Sequence, residues 1–262
     1  MSLIHAINWL YTLSGFFVGM LVGLTGVGGG SLMTPILILL FGIHPATAVG
    51  TDLLYAAATK TGGTLIHGLN HTIDWRIVGR LATGSVPMTV VTLFILSRFD
   101  LTAGTASRVI TFSLGLALLA TALALVFRTK LVSYYGARIG ELTPRRTATL
   151  TISTGAMLGV LVSTTSVGAG ALGVTALILL YPRLATARIV GSDIVHAVPL
   201  TLIAGMGHWL IGSIDTGILG SLLLGSLPGI VVGSFLAVRV PDLVLRLTLA
   251  AVLVVVGGRL VL

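Results

Sequence analysis

No cysteine occurs among the 262 residues, which excludes disulfides, thiolate metal sites and thiol redox chemistry. Charge is scarce as well. Asp, Glu, Lys and Arg make up 8% of the chain, where soluble domains carry about 25%. With 55% of its residues hydrophobic, the chain has too few polar side chains to cover a water-soluble surface. Met1 to Tyr11 places no basic region ahead of its apolar part and so does not resemble a cleavable signal peptide. The six histidines show no HExxH spacing, and no local Ser, His and Asp arrangement makes a nucleophile signature. No metal, cofactor or catalytic residue is therefore assigned.

What remains is long apolar runs. Thr47 to His67, Trp75 to Leu96, Gly104 to Phe127, Thr186 to His208, Thr216 to Val238 and Leu243 to Gly258 approach or exceed the roughly 20 helical residues that cross about 30 Å of hydrocarbon. The mean hydropathy of +1.10 agrees. The chain reads as an all-α polytopic protein of the cytoplasmic membrane. Its formal charge of +8 does not imply a nucleic-acid partner, because most basic residues fall between spans and face lipid headgroups. Only Lys60 lies well inside a span.

The sequence also repeats itself. At an offset of 140, Gly19, Thr25, Val27, Gly28, Gly30 and Leu32 fall on Gly159, Thr165, Val167, Gly168, Gly170 and Leu172. At an offset of 141, Gly50, Thr51, Asp52, His67, Asp74, Gly84 and Pro87 fall on Gly191, Ser192, Asp193, His208, Asp215, Gly225 and Pro228. Glycines match easily by chance in such a composition, but Asp, His and Pro at one nearly constant offset do not. The organisation expected is an N-terminal repeat within residues 1–127, a basic cytoplasmic linker at 128–147 and a C-terminal repeat at 148–262.

Trp9 to Phe41 is too long for one straight crossing and reads as two short helices bent at Thr25 to Ser31. If the second of them completes the crossing, each repeat has four spans and the basic residues outside Lys60 split eight against six. If the segment is a re-entrant hairpin or two short spans, each repeat crosses an odd number of times and is inverted relative to its partner. The split is then eleven against three. The positive-inside rule favours this second arrangement, with the linker cytoplasmic and both termini outside.

TGVGGGS at Thr25 to Ser31 and TSVGAGA at Thr165 to Ala171 break the apolar runs. Neither is a dinucleotide loop: Ser31 occupies the last glycine position of GxGxxG, and no lysine of a phosphate loop follows. Two readings stay open. Gly15, Gly19 and Gly23, with Gly155, Gly159 and Ser163, form small-residue ridges that let helices approach closely. Consecutive glycines free backbone N–H groups that hydrocarbon cannot satisfy, and such backbone is tolerated where it lines a cavity. Half-helices beginning near Ser31 and Ala171 would then present their N-termini to an anion.

GMLVGLTGVGGGSLMTPIL, then HPATAVGTDLL, with VGSD again at Val190 to Asp193, resembles the TauE/SafE family of sulfite exporters and sulfonate-related permeases. The resemblance covers nearly the whole chain. It implies a secondary transporter of a small sulfur-containing anion, such as sulfite, sulfoacetate or another organosulfonate. The second copy departs from the pattern, with Ser166 in place of Gly26, Ala169 in place of Gly29 and two extra residues in ATARIVGSD.

The substrate-binding candidates are Thr25, Gly26, Gly28, Gly29, Gly30, Ser31, Thr51, Lys60, Thr165, Ser166, Gly168, Gly170 and Ser192. Hydroxyls at the breaks can donate to oxyanion oxygens or bond back to their own helices. Asp52, Asp193, His67 and His208 are the proton-coupling candidates. The two acids either cap nearby N–H groups or face a cavity, and an acid beside an anion must be protonated or paired. Lys60, eight residues beyond Asp52 and replaced by Thr201 in the second repeat, is a candidate counter-charge for the anion or for Asp52. With no nucleotide-binding element, alternating access driven by protons is expected. A selective anion channel is the alternative.

Overall fold

The computed structural model describes residues 8–25, 30–69, 72–101, 103–138, 143–237 and 241–262. The described residues form ten α-helices: α1 Trp9–Thr25, α2 Gly30–Leu39, α3 Pro45–Leu69, α4 Trp75–Leu96, α5 Gly104–Arg138, α6 Pro144–Thr165, α7 Ala171–Leu180, α8 Thr186–Leu210, α9 Thr216–Ala237 and α10 Asp242–Val261. Six are long and apolar enough to cross a membrane, namely α4, α5 over Gly104–Arg128, α6, α8, α9 over Thr216–Leu236 and α10 over Leu243–Val261. Helix α3 has comparable length, with Asp52 and Lys60 inside it.

The repeated polar residues start these helices. Asp74 caps α4 by accepting from the N–H groups of Arg76 and Ile77, and Asp215 accepts from those of Gly217 and Ile218 at the start of α9. These bonds satisfy amides that have no intrahelical partner. Thr143 caps α6 before Pro144, whose missing N–H costs nothing at that position. The expected linker opens as helix, because α5 runs on to Arg138. RTKLVSYY at Arg128 to Tyr135 holds no glycine or proline to stop it.

The glycine ridges are packing surfaces. Gly15, Gly19 and Gly23 on α1 press against the backbone of α9 at Leu222, Ser226 and Ile230, and Gly225, Gly229 and Gly233 return the contact. Position numbers rise together along the two helices, which therefore run parallel. In the other half, Gly155 and Gly159 on α6 lie against Leu81 and Ser85 of α4 in the same parallel sense.

Helices α3 and α8 pack together between these two pairs. Gly50 of α3 meets His208 and Ser213, while Gly205 of α8 meets Leu54, so these two equivalent helices run antiparallel. The partnerships exchange between halves: α1 with α9 corresponds to α6 with α4, α2 with α10 to α7 with α5, and α3 with α9 to α8 with α4. This internal symmetry is consistent with inverted repeats. Sheath helices α5 and α10 cross where Gly115 and Gly257 adjoin.

The close approach carries a stability prediction. A Cβ on Gly19 would lie 2.5 Å from the Ser226 carbonyl oxygen, whereas one on Gly220 would meet nothing within 4 Å. Gly19→Leu is expected to lose on the order of 3 kcal/mol through overpacking, and Gly220→Leu to remain near the parent. Thermal unfolding of the detergent-purified variants measures both, and equal melting would remove the packing role.

Candidate functional site

The second break shows why glycine is placed there. Helix α6 ends at Thr165, Ser166 adopts a left-handed conformation at φ 60°, and Gly168 and Gly170 have φ of 120° and 122°. A Cβ would strain the backbone at both glycines. Helix α7 then begins at Ala171 and runs ten residues, about 15 Å and half the hydrocarbon thickness. Its first turn leaves amides without helical partners.

Lys60 reaches this break from the other repeat. It stands on α3, is 8% exposed, and its Nζ donates to the Ala169 carbonyl oxygen at 3.4 Å. That bond gives the interrupted backbone a partner which hydrocarbon cannot supply. Asp193 and Asp52, both 0% exposed, lie within electrostatic range of the same ammonium. A cation and two acids from both halves of the chain thus converge on the turn between α6 and α7.

The two acids are held differently. Asp52 Oδ2 accepts from the backbone N–H of Thr34, at 3.2 Å, and from the Thr34 hydroxyl, tying α3 to α2. Its other oxygen completes no hydrogen bond, and the similarly unbonded Ser166 hydroxyl faces the carboxylate. Asp193 has neither oxygen hydrogen-bonded, although the Gly170 amide is oriented on it. Gly173 makes room for the Asp193 carboxylate, since a Cβ there would overlap Oδ1.

The structure separates the remaining candidates. The Thr51 hydroxyl accepts from the N–H of Asp215 at 3.2 Å, and that of Ser192 from the N–H of Asp74 at 2.8 Å. Both hydroxyls hold the starts of neighbouring helices. The Thr165 hydroxyl donates to Leu161 O and accepts from the Val167 N–H, which ties it to the local turn. His208 is buried against α6, its Nε2 donating to the Ser163 carbonyl at 2.9 Å. It lies about 22 Å along α8 from Asp193, outside the Lys60 cluster. Gly26, Gly28 and Gly29 lie outside the described residues, as do the surroundings of Gly30 and the side chains of Thr25, Ser31 and His67.

One symmetric pair escaped the sequence reading as site residues. His196 Nε2 and the Ser85 hydroxyl are 2.8 Å apart, with His196 1% exposed and its Nδ1 unbonded. At the equivalent place in the other half, the Tyr55 hydroxyl faces Ser226. The signal was present: Ser85 falls on Ser226 and Tyr55 on His196 at the offset of 141. Among the described residues no cluster of three metal-ligating side chains occurs.

The chain matches the family described as sulfite exporter TauE/SafE over residues 11–260. It is 39% identical over 250 residues to the probable membrane transporter protein YjnA of Bacillus subtilis (strain 168), covering 95% of this chain and 98% of that protein. A second relative from the same organism, the probable membrane transporter protein YunE, is 37% identical over 70 residues, covering 27% and 26%. No solved structure matches.

The Thr34 bridge generates a prediction for the site. Thr34→Val keeps the side-chain shape and removes one donor to Asp52, which is expected to cost about 1.5–3 kcal/mol. Combined with Asp52→Asn, the two losses should fall short of their sum. Unfolding of the two single variants and the double variant checks this, and strict additivity would separate the residues.

Proposed function

As the chain belongs to the sulfite exporter TauE/SafE family of membrane transporters, we propose that it carries a small sulfur-containing anion, such as sulfite, sulfoacetate or another organosulfonate, by proton-linked alternating access. The observation that carries this reading is the buried Lys60 of the first repeat, bonded to the broken backbone of the second. An uncompensated ammonium at membrane depth is costly, and such groups line ion pathways or pair with one another. An oxyanion placed beside Lys60 would meet its positive charge, the N-terminal end of α7 and the Ser166 hydroxyl together. Direct contacts from Gly26, Gly28, Gly29 and Gly30 in the first break are part of the proposal through the repeat.

Inversion of the two repeats supplies the alternating access. The antiparallel run of α3 and α8, and the exchange of helix partners between halves, support it. A pseudo-two-fold axis in the membrane plane relates an outward arrangement of one repeat to an inward arrangement of the other. The α1–α2 segment returns as a hairpin in this topology, with the linker at 128–147 cytoplasmic. The chain would carry eleven basic residues on that side against three outside.

Two measurements test these parts separately. Lys60→Met should weaken binding of a sulfonate by about 2 kcal/mol, a loss typical of a charge-assisted hydrogen bond, while Lys60→Arg keeps part of the affinity. Calorimetry on single-species detergent preparations reads the difference, and unchanged affinity in Lys60→Met would place the anion elsewhere. Saturable counterflow in proteoliposomes is expected of the carrier, whereas single-channel current would show a pore.

For the topology, Ala137→Cys introduced into this cysteine-free chain should be protected from an impermeant thiol reagent outside intact cells. Cysteines at positions 3 and 262 should react. External labelling of position 137 would overturn the orientation, and termini on opposite sides would overturn the inversion.

A further inference from the structure

The two halves place the same acid in unlike surroundings. In the first, Asp52 is bonded twice by Thr34. In the second, the equivalent of Thr34 is Val174, which has no hydroxyl to offer, and the equivalent of Met33 is Gly173. Gly173 makes the space that the Asp193 carboxylate occupies, and neither carboxylate oxygen is hydrogen-bonded. Asp193 is thus a fully buried acid with no side-chain hydrogen-bond partner and only the Gly170 amide oriented on it, and it lies within electrostatic range of Lys60.

We propose that a monovalent anion and a proton bind together, the anion taking the place of Asp193 as counter-ion of Lys60 while the proton is taken up on the Asp193 carboxylate. This rests on the anion-carrier reading and specifies its charge class and linkage. The reason is charge balance in a low-dielectric site, where an unpaired charge is far costlier than a neutralised one. With Asp52 in its neutral, protonated form beside Thr34, the Lys60 ammonium is balanced by the Asp193 carboxylate before the anion arrives. Adding a monoanion leaves one negative charge in excess. One proton from water, forming an O–H bond on Asp193, restores neutrality and turns a repelling carboxylate into a hydrogen-bond donor for the incoming oxyanion.

The surroundings of Asp193 limit which other groups take part. From α3 come Lys60 and Asp52, the latter engaged with Thr34. From its own helix comes His196, bonded to Ser85 of α4. Arg80 of α4 donates to the Tyr181 hydroxyl, and α7 meets the carboxylate with Gly173. Of the two cations in this set, Arg80 is engaged with Tyr181 and the Lys60 ammonium alone is in electrostatic range of Asp193, so a divalent anion would require a second proton. The site therefore favours monoanions, such as simple sulfonates and hydrogensulfite, over dianions such as sulfate and fully ionised sulfoacetate, which narrows the carrier reading.

Calorimetric titration of the purified full chain with methanesulfonate, in buffers of different ionisation heat, tests the linkage. The expected result is uptake of about one proton per anion, with affinity falling about tenfold per pH unit across the linked range. Sulfate should bind at least about tenfold more weakly, since its second charge is left unbalanced. Asp193→Asn should bind methanesulfonate without proton uptake. Methanesulfonate binding to the parent chain without proton uptake, or retained uptake in Asp193→Asn, overturns this proposal and leaves the anion-carrier reading standing. Failure of both methanesulfonate and sulfate to bind at any pH overturns the carrier reading itself. The parent measurement decides the linkage even if a variant does not fold.

Discussion

Hydrocarbon offers no partner to a free backbone N–H or C=O, and the arrangement of this protein follows from where it breaks that requirement. The chain opens its helical backbone between α6 and α7 with glycines at φ values that L side chains rarely adopt. Partners must then come from side chains on other helices. Lys60 supplies a donor to the Ala169 carbonyl, and Asp193 lies against the Gly170 amide. Because these side chains are charged and buried, they must also balance one another. Loss of the regular hydrogen-bond ladder thus leads to a buried cluster of ionisable groups.

Packing makes that cluster possible. Side chains of ordinary size on α1, α4, α6 and α9 would hold these helices apart, whereas the glycine ridges bring their backbones into contact. Helices α3 and α8, which carry Lys60, Asp52 and Asp193, pack between the two tight pairs. Thr51 and Ser192 fasten them there by accepting from the residues that cap the helices of the opposite repeat. Each half thereby holds the other's helix starts. These hydroxyls position the site and do not converge on Lys60.

The symmetry is a property of the backbone more than of the chemistry. Thr201 stands at the position equivalent to Lys60, His196 at that of Tyr55, and Val174 at that of Thr34. A duplicated fold needs its glycines and caps twice, since both copies pack in the same way. The buried charge cluster, which forms once between the halves, needs its charges once. A lysine at position 201 as well would bury a second cation and add a further desolvation cost.

The membrane class, the repeats and the position of both breaks were legible in the sequence because each rests on local composition or on a constant offset. Apolar run length is set by bilayer thickness, and glycine marks backbone that side chains would strain. Asp74 and Asp215 were legible as a repeated pair, and their capping role required only the residues beside them. Convergence was not legible. Lys60 and Ala169 are 109 positions apart, and no periodicity relates them. His208 stood in the sequence as a proton-coupling candidate, and that α6 packs over it, with the Ser163 carbonyl at its Nε2, depended on a residue 45 positions away. The difference between Asp52 and Asp193 likewise came from Thr34 and Gly173, residues on other helices. Sequence by itself determined the solvent, the duplication and the sites of backbone interruption, because these depend on neighbours along the chain. Only tertiary structure decided which charges meet and which hydroxyls are already bonded, because helix packing brings together residues that the chain keeps far apart.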